Sequence, residues 1–383
     1  MQSKGRSIPT EQQAAARKRR QIRNWTILVL VIIAAVAGVR LLQSVGRSTA
    51  LIATALPCSA HQDVRAFGAN VVYYDGASIH CVSPTGGIRW SYPVGANADF
   101  SVSDTHLVAW QGSQLYILDS NGRPTYNDNM ESTVQFARIG DEYAAVVIGE
   151  DTRPRLLVKD MQGAQKDYED ETFNGMLILD VGFYGDKDQY MWTLSMDMYG
   201  PSVSPVMNLF QVGKMNAGIV SLGEDLVYRV LYDNSQLKVF TTQQMYAYDY
   251  KGVQDVNSTV LVYGWQLIDW DIPSRGDARM LLTPTLNSNT VYAISQLRLI
   301  SGSTDRNYSL PSSCVGAAIQ GSNLYAFSSE YLYYTNVDNL HFYAYPLTSV
   351  LGGNPLTNYV GMTSNGQAIV TSGNDVYCIT LPQ

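Results

Sequence analysis

Residues 107–122, LVAWQGSQLYILDSNG, form the stretch that decides the fold. The stretch contains an apolar strand, a polar turn, a second apolar strand and an Asx-Gly turn. Four further copies align with it without a gap, at residues 71–86, 237–252, 324–339 and 368–383. A repeat of roughly 40 residues that is built from short strands is typical of a β-propeller.

The apolar residue that opens the third strand of each repeat gives the number of blades. In the five clear copies this residue is Ile79, Leu115, Met245, Leu332 or Val376. Two more copies with inserted turns are centred near Leu156 and Val206. An eighth is expected near Val291, because Met245 and Leu332 are two periods apart. The sequence therefore predicts an all-β propeller of eight blades, with seven as the alternative. A pair of β-sandwiches or a solenoid fits the near-constant period less well.

Each repeat also shows where its first and last strands lie. The alternating segment 99–104, DFSVSD, precedes the central strand pair and is expected to face the axis, and the polar segment RPTYND follows as the outer strand. The last copy ends with the chain, directly after its third strand. Residues 51–61 are therefore expected to supply the missing outer strand and to close the ring.

Ring closure of this kind suggests a disulfide between the two ends of the chain. It places Cys58 on the outer strand beside the third strand that carries Cys378, and neighbouring strands are close enough for a disulfide. Four cysteines allow three pairings, so we expect a Cys58–Cys378 bond, with four buried free thiols as the alternative.

The N-terminal region has the features of a membrane anchor. Residues 1–47 carry nine of the 26 basic residues and one of the 33 acidic residues, and residues 25–39, WTILVLVIIAAVAGV, are uncharged and apolar. This pattern predicts a cytoplasmic basic tail over 1–23 and a transmembrane helix over 24–45 that contacts membrane lipid. Residues 46–60 then form the tether and ring-closing strand, and 61–383 form an extracellular propeller. A cleaved signal peptide, with Ala35–Ala37 or Ala53–Ala55 at the cleavage site, is the alternative.

The remainder of the chain is acidic, because residues 48–383 hold 17 basic and 32 acidic residues. An acidic body argues against nucleic acid as a partner. In an extracytoplasmic domain the same charge also promotes solubility.

The first repeat, VVYYDGASIHCVSPTGGIRW, resembles the repeat of quinoprotein-like (PQQ-repeat) propellers, in which a Thr-Gly turn is followed by a Trp. Thr85, Gly86 and Trp90 occupy these positions, and the resemblance implies that Trp90 packs between adjacent blades. The whole chain resembles a family of Gram-positive, single-pass membrane proteins of unknown function. The matching segments are the anchor, TGGIRW, WTLSMDMYGPSVSPVMNLF and GIVSLGEDLVYRVLYDN. This resemblance implies an architecture and no activity.

No motif in the sequence indicates catalysis, a cofactor or a metal. The four cysteines are not adjacent to one another, unlike the vicinal pair of quinone-dependent enzymes, and the four histidines lack metal-ligand spacing. Residues 119–122, DSNG, begin like a calcium loop but lack its remaining ligands. The stretch SPTGGIRW matches only part of a sialidase Asp box, because Thr85 stands at the Asp position.

The sequence thus favours a non-enzymatic binding or scaffold domain at the cell envelope, with an envelope protein or glycan as its partner. Candidate binding loops are 149–155, which contains Arg153, and 198–205, which contains Tyr199. Trp265 and Trp270 are further candidates, although two tryptophans are costly to expose and a buried strand explains them better. The alternative function is an envelope glycan hydrolase, whose catalytic carboxylates come from different blades and meet on the axis face.

Overall fold

The computed structural model describes residues 51–197, 204–233, 235–285 and 293–382. The predicted basic tail, the anchor and the first part of the tether lie outside these ranges, and so do Tyr199 and Val291. Within the described ranges, no helix is both long enough and apolar enough to cross a membrane.

The described chain forms eight four-stranded antiparallel sheets, which are the eight blades of a propeller. Blade 1 consists of β2 (Asp63–Phe67), β3 (Asn70–Tyr74), β4 (Ser78–Val82) and β5 (Ile88–Pro93). Blade 2 consists of β6 (Asp99–Val102), β7 (His106–Gln111), β8 (Gln114–Asp119) and β9 (Pro124–Asn129). Blade 3 consists of β10 (Val134–Ile139), β11 (Tyr143–Glu150), β12 (Arg153–Asp160) and β13 (Gln165–Glu169). Blade 4 consists of β14 (Met176–Tyr184), β15 (Tyr190–Asp197), β16 (Ser204–Gln211) and β17 (Met215–Ser221).

The second half of the ring repeats this arrangement. Blade 5 consists of β18 (Val227–Tyr232), β19 (Leu237–Thr241), β20 (Gln244–Tyr248) and β21 (Val260–Leu261). Blade 6 consists of β22 (Trp265–Asp271), β23 (Arg279–Pro284), β24 (Ile294–Ser301) and β25 (Thr304–Cys314). Blade 7 consists of β26 (Gly316–Gln320), β27 (Asn323–Phe327), β28 (Tyr331–Asn336) and β29 (Tyr343–Pro346). Blade 8 consists of β30 (Asn358–Met362), β31 (Gln367–Ser372), β32 (Asp375–Thr380) and β1 (Ile52–Ser59). Single turns of 3₁₀ helix cover Glu171–Phe173, Asp186–Asp188 and Val256–Ser258.

The core lies between the blades. Each of the eight hydrophobic clusters combines side chains from two neighbouring sheets. On β7, Leu107 and Ala109 pack toward blade 1, whereas Val108 and Trp110 pack toward blade 3. The central strands are therefore apolar on both faces, because successive side chains point to opposite sides and both sides are covered.

The ring closes through its N-terminal strand. β1 pairs antiparallel with β32, from Ile52 opposite Thr380 to Ala55 opposite Tyr377. Leu51 is buried in the core between blades 7 and 8. Leu56 is buried in the core between blades 8 and 1. The expected donor segment, 51–61, contains this strand, so the eighth blade has its outer strand and no seam is left without one.

Five of the first strands, which line the axis, carry one extra residue. The pairing with the second strand skips Gln135, Leu179, Tyr228, Ile268 and Val360. Such a β-bulge turns a side chain away from the regular alternation. Leu179 and Tyr228 are exposed as a result, although they lie on inner strands.

The expected disulfide is absent, and the register of β1 explains why. All four cysteines are free. Thr54 stands opposite Cys378, and the register shifts between Ala55 and Ser59. Ser59 stands opposite Asp375, so Cys58 lies two to three residues along the strands from the level of Cys378, about 7–10 Å at the usual rise, which is too far for a disulfide. The prediction of a Cys58–Cys378 bond was wrong.

Burial should make the thiols slow to react in the folded chain. It raises the pKa of Cys58 and Cys378 to about 11 and that of Cys81 and Cys314 to about 12. We expect four thiols to react with a disulfide reagent in denaturant without any reductant, and a slow reaction under native conditions at pH 8. Only two reactive thiols in denaturant would show that a bond forms after all.

Candidate binding face

The ring has two faces that differ in their connections. Four antiparallel strands return the chain to the side on which each blade began. One face therefore carries the links between blades and the turns from second to third strand; we call it the link face. The opposite face carries the other turns and the start of β1. The predicted binding loop 149–155 joins the second to the third strand of blade 3 and belongs to the link face, whereas most of the predicted loop 198–205 lies outside the described residues.

Arg153 lies in a surface pocket on this face, and Tyr199 lies outside the described residues. The pocket has a volume of about 380 Å³ and is lined by Arg153, Pro154, Arg155, Asp170, Glu171 and Asn174. Arg155 donates to the carboxylate of Glu131 at 2.9 Å, whereas Arg153 has no ion pair in the described ranges. The pocket thus combines one unpaired cation with two exposed carboxylates.

Trp265 and Trp270 lie on β22, the innermost strand of blade 6, and both are half-buried. The guanidinium of Arg298 lies 5.8 Å from the ring centroid of Trp265, and that of Arg229 lies 5.1 Å from the centroid of Trp270. Each indole therefore packs on the core with one side and carries a cation on the other. The two tryptophans are neither loop residues nor fully buried ones.

Trp90 lies on β5 and spans the seam between blades 1 and 2. Its indole N–H donates to the carbonyl of Ser120 at 3.0 Å, and its ring packs edge-on against Phe67. The ring also covers Gly122, where an added Cβ would overlap it. Ser120 and Gly122 belong to the turn between β8 and β9, so the outer strand of one blade holds the outer turn of the next.

Other seams use the same contact with different side chains. A Cβ on Gly163 in blade 3 would overlap the ring of Tyr126 from blade 2, and one on Gly252 in blade 5 would lie 2.9 Å from Val220 of blade 4. Gly86, in the predicted Thr85-Gly86 turn, lies against the carbonyl of Ala55, which belongs to blade 8. The turn glycine is thus the common feature of these seams, and Trp90 is one of several side chains that fill the space above it.

Charged side chains line the axis on the first strands. Arg65 pairs with Asp63 at 2.6 Å, and Arg138 pairs with Asp180 of the next blade at 2.8 Å. Asp269 accepts from the backbone N–H of Ile319 in blade 7 at 2.8 Å. The contacts of Asp180 and Asp269 connect neighbouring inner strands by polar bonds where the blades converge, whereas the Arg65–Asp63 pair lies within β2.

Burial raises the pKa of Asp269 to about 6, against the opposing effect of the N–H groups of Ile319 and Trp270. In the unfolded chain this carboxyl ionises near pH 4. Between the two values the folded state binds more protons than the unfolded state. The free energy of unfolding should therefore fall as the pH rises from about 4 to about 6, and then level off.

Asp269→Asn should remove this pH dependence, because the amide oxygen still accepts from Ile319 and carries no charge. We expect the variant to be more stable than the wild type above pH 7 by up to about 2 kcal/mol, and to lose this advantage toward pH 4. Denaturant unfolding between pH 4 and 8 measures both effects, with the exposed Asp151→Asn as control. An advantage that does not change with pH would contradict the assignment.

A hydrogen-bonded network of Asp75, His80 and Ser91 in blade 1 was not expected from the sequence. The two ring nitrogens of His80 lie 2.7 Å from Ser91 Oγ and 2.7 Å from Asp75 Oδ2. Asp75 also accepts from the N–H groups of Ala77 and Ser78, and the bond from His80 lowers its pKa to about 2. The residue types match a hydrolase triad. Here the three residues connect the tight turn that contains Asp75 to the outer strand that contains Ser91. Both ring nitrogens of His80 have a hydrogen-bond partner, which is typical of a structural histidine.

Among the described residues, no group of three or more His, Cys, Asp or Glu side chains is placed to hold a metal ion. A second pocket, of about 240 Å³, opens between the inner strands of blades 4 and 5. Its lining residues are Leu179, Asp180, Trp192, Leu194, Val227, Tyr228, Arg229 and Val230. Tyr228 and Arg229 begin β18, on the link-face side, so this pocket lies beside the axis near the link face.

Comparison with known proteins identifies a fold and no family. No protein-family model matches the chain, and no curated protein matches it in sequence. The chain is similar to Sqt1 of Saccharomyces cerevisiae, with 8% identity over 86% of this chain and 96% of that one and a TM-score of 0.52. It also matches the WD40 domain of Neurospora crassa Pan2 (9% identity, 88% and 95% covered, TM-score 0.48) and BamB from Moraxella catarrhalis (10%, 87% and 98%, 0.46). The likeness to Sqt1 concerns the fold alone, and the fold is an eight-bladed β-propeller.

Proposed function

We propose that this protein is a membrane-tethered, extracytoplasmic β-propeller that binds a protein partner at the cell envelope through its link face and performs no chemistry of its own. One observation carries the proposal. Large apolar side chains that are exposed on the link-face side of blades 4 to 6 include Leu179 by 38%, Leu226 by 58%, Tyr228 by 37% and Tyr263 by 74%. Exposed apolar and aromatic side chains in one region are typical of a protein interface.

The test is the capture of a partner by the full-length chain in its own membranes, after cross-linking. We expect a captured protein that is lost from the double variant Leu226→Ser/Tyr263→Ser. The matched control is Leu340→Ser/Tyr343→Ser in blade 7, where the side chains are similarly exposed, and it should retain the partner. Equal capture by both double variants, or no capture by the wild type, contradicts the proposal.

The membrane tether rests on the sequence of residues 1–45 and has its own test. The apolar run 25–39, with seven basic residues before it, favours an uncleaved anchor with the N-terminus in the cytoplasm. We expect the full chain to remain in the membrane pellet at alkaline pH and a chain without residues 1–45 to be released. A mature protein that begins after residue 37 or 55 would instead identify a cleaved signal peptide.

The alternative function, a glycan hydrolase at the axis, is favoured by one observation. A carboxyl group whose pKa is raised to about 6, such as Asp269, is what a general acid requires. However, Asp269 accepts from the backbone of Ile319, which gives it a structural role between blades. Turnover of aryl glycosides that disappears in Asp269→Asn would establish the hydrolase and overturn the binding proposal.

A further inference from the structure

Two neighbouring side chains at the start of β18 hold hydrogen-bond donors that are not used within the described chain. Arg229 is exposed and has neither an ion pair nor an acceptor there; its guanidinium only stacks on Trp270. The hydroxyl of Tyr228 accepts from the N–H of Leu267 at 3.0 Å, so its own proton remains free to be donated. Arg229 and Tyr228 are also close enough that the arginine opposes the rise in the pKa of the tyrosine.

The other arginines on the inner strands are already paired. Arg65 donates to Asp63 and to the carbonyl of Phe100, and Arg138 donates to Asp180. Asp269, on the next inner strand after Arg229, accepts from the backbone of blade 7 instead. Arg229 is therefore an inner-strand cation without a carboxylate in the described chain, although the body of the protein is rich in carboxylates.

The strand that carries the cation also borders an apolar pocket. The 240 Å³ pocket between blades 4 and 5 has Leu179, Trp192, Leu194, Val227 and Val230 among its lining residues, and Arg229 and Tyr228 also line it. Asp180 is the one carboxylate in its lining, and its charge is balanced by Arg138 at 2.8 Å. The pocket thus offers room for an apolar group on the blade-4 side of β18, and the unused donors of Tyr228 and Arg229 extend from the same strand toward blade 6.

We infer that this site binds an extended protein segment that presents an aspartate or glutamate next to an apolar residue. The segment crosses β18, so that its carboxylate accepts from the guanidinium of Arg229 and the hydroxyl of Tyr228 on the blade-6 side and the neighbouring apolar side chain enters the pocket on the blade-4 side. A planar guanidinium matches a carboxylate with two parallel bonds, and its stacking on Trp270 holds it in place before binding. The inference rests on the proposed function and specifies what the partner presents to the link face.

The probe is an array of alanine-based heptapeptides with a central Glu and a Leu, Phe or Trp beside it, each matched by a copy with Gln in place of Glu. The purified full-length chain in detergent is applied to the array. We expect Glu peptides to bind about 10-fold more tightly than their Gln copies, which corresponds to about 1.4 kcal/mol. Arg229→Gln should abolish this preference, and Tyr228→Phe should reduce it several-fold. The exposed Arg123→Ala, in blade 2, is the matched control and should keep it.

Equal binding of Glu and Gln peptides, or a preference that survives Arg229→Gln, overturns the inference. Copies with phosphoserine in place of Glu test the competing ligand; binding of these alone would assign the site to phosphate and overturn the carboxylate. Thermal unfolding of each variant shows that it is folded, and the ratio of Glu-peptide to Gln-peptide affinity does not depend on the stability of the variant.

Cross-linking separates the two proposals. A partner that is lost with Leu226→Ser/Tyr263→Ser but kept with Arg229→Gln leaves the proposed function standing and refutes the carboxylate site. No partner for the wild type refutes the proposed function, while the array alone still decides whether the site binds a carboxylate.

Discussion

A chain that begins at residue 61 should fail to fold, whereas a chain that begins at residue 51 should fold like the full-length protein. The ten residues between these points contain β1, which pairs with β32 as the outer strand of blade 8. Their removal exposes the outer edge of β32 and takes away the buried side chains of Leu51 and Leu56. Burial of two leucines contributes about 3–6 kcal/mol, a large part of the roughly 5–15 kcal/mol that stabilises a domain.

Thermal unfolding of the two truncated chains provides the measurement. We expect one cooperative transition for the chain that begins at residue 51. The chain that begins at residue 61 should aggregate, or show a broad transition at a much lower temperature. Because the two chains differ only in these ten residues, equal melting temperatures would show that β1 is dispensable for ring closure.

The second large effect is expected at Gly122. Gly122→Ala places a methyl group where the ring of Trp90 lies, and the residue has φ of +74°. The positive φ costs an alanine about 1–2 kcal/mol, and moving the indole off the turn adds about 2 kcal/mol. Gly112→Ala in the same blade is the control, because its φ is +59° and no atom lies within 4 Å of the added Cβ.

A double-mutant cycle with Trp90→Ala tests the cause. Trp90 is half-buried and donates to Ser120, so its removal should itself cost about 2 kcal/mol, less than for a fully buried tryptophan. In the Trp90→Ala background there is room for the methyl group, and Gly122→Ala should then cost no more than Gly112→Ala. If the losses in the free energy of unfolding are additive for the two substitutions, the indole of Trp90 does not contact the turn at Gly122 in a way that affects stability.

The strand pattern could be predicted from the sequence because both faces of the central strands are buried. The five clear repeat residues all lie on third strands, for example Leu115 on β8 and Leu332 on β28. The less regular copies near Leu156 and Val206 also mark third strands, β12 and β16. In blade 6 the third strand is β24, which begins at Ile294, a few residues after the expected position near Val291.

Irregular backbone explains what the sequence could not show. The shift between Ala55 and Ser59 removes Cys58 from its expected position, and a bulge at Ile268 breaks the alternation between Trp265 and Trp270. A bulge at Tyr228 likewise places two successive side chains, those of Tyr228 and Arg229, near the axis. The alternation of apolar and polar residues along a strand cannot locate such an insertion, because one extra residue moves every side chain that follows it to the opposite face of the sheet.

The candidate site depends on contacts between blades that are far apart in sequence. Tyr228 and Leu267 are 39 residues apart, and Asp269 and Ile319 are 50 apart. No local motif relates such positions. The one seam contact expected from the sequence, at Trp90, was suggested by its fixed distance from a Thr-Gly turn. Where Tyr126 or Val220 fills the same space, the sequence shows only the glycine.

The pairing of β1 with β32 also determines when the molecule can become complete. The ribosome makes β1 before any blade and β32 after all the others, so their contact spans nearly the whole ring. Blades formed in between can stack as they emerge. β1, in contrast, has no partner until the other strands of blade 8, which are the last of the chain, have been made. A prematurely terminated chain therefore keeps an unpaired edge, which chaperones and proteases can recognise, and only a full-length chain hides it.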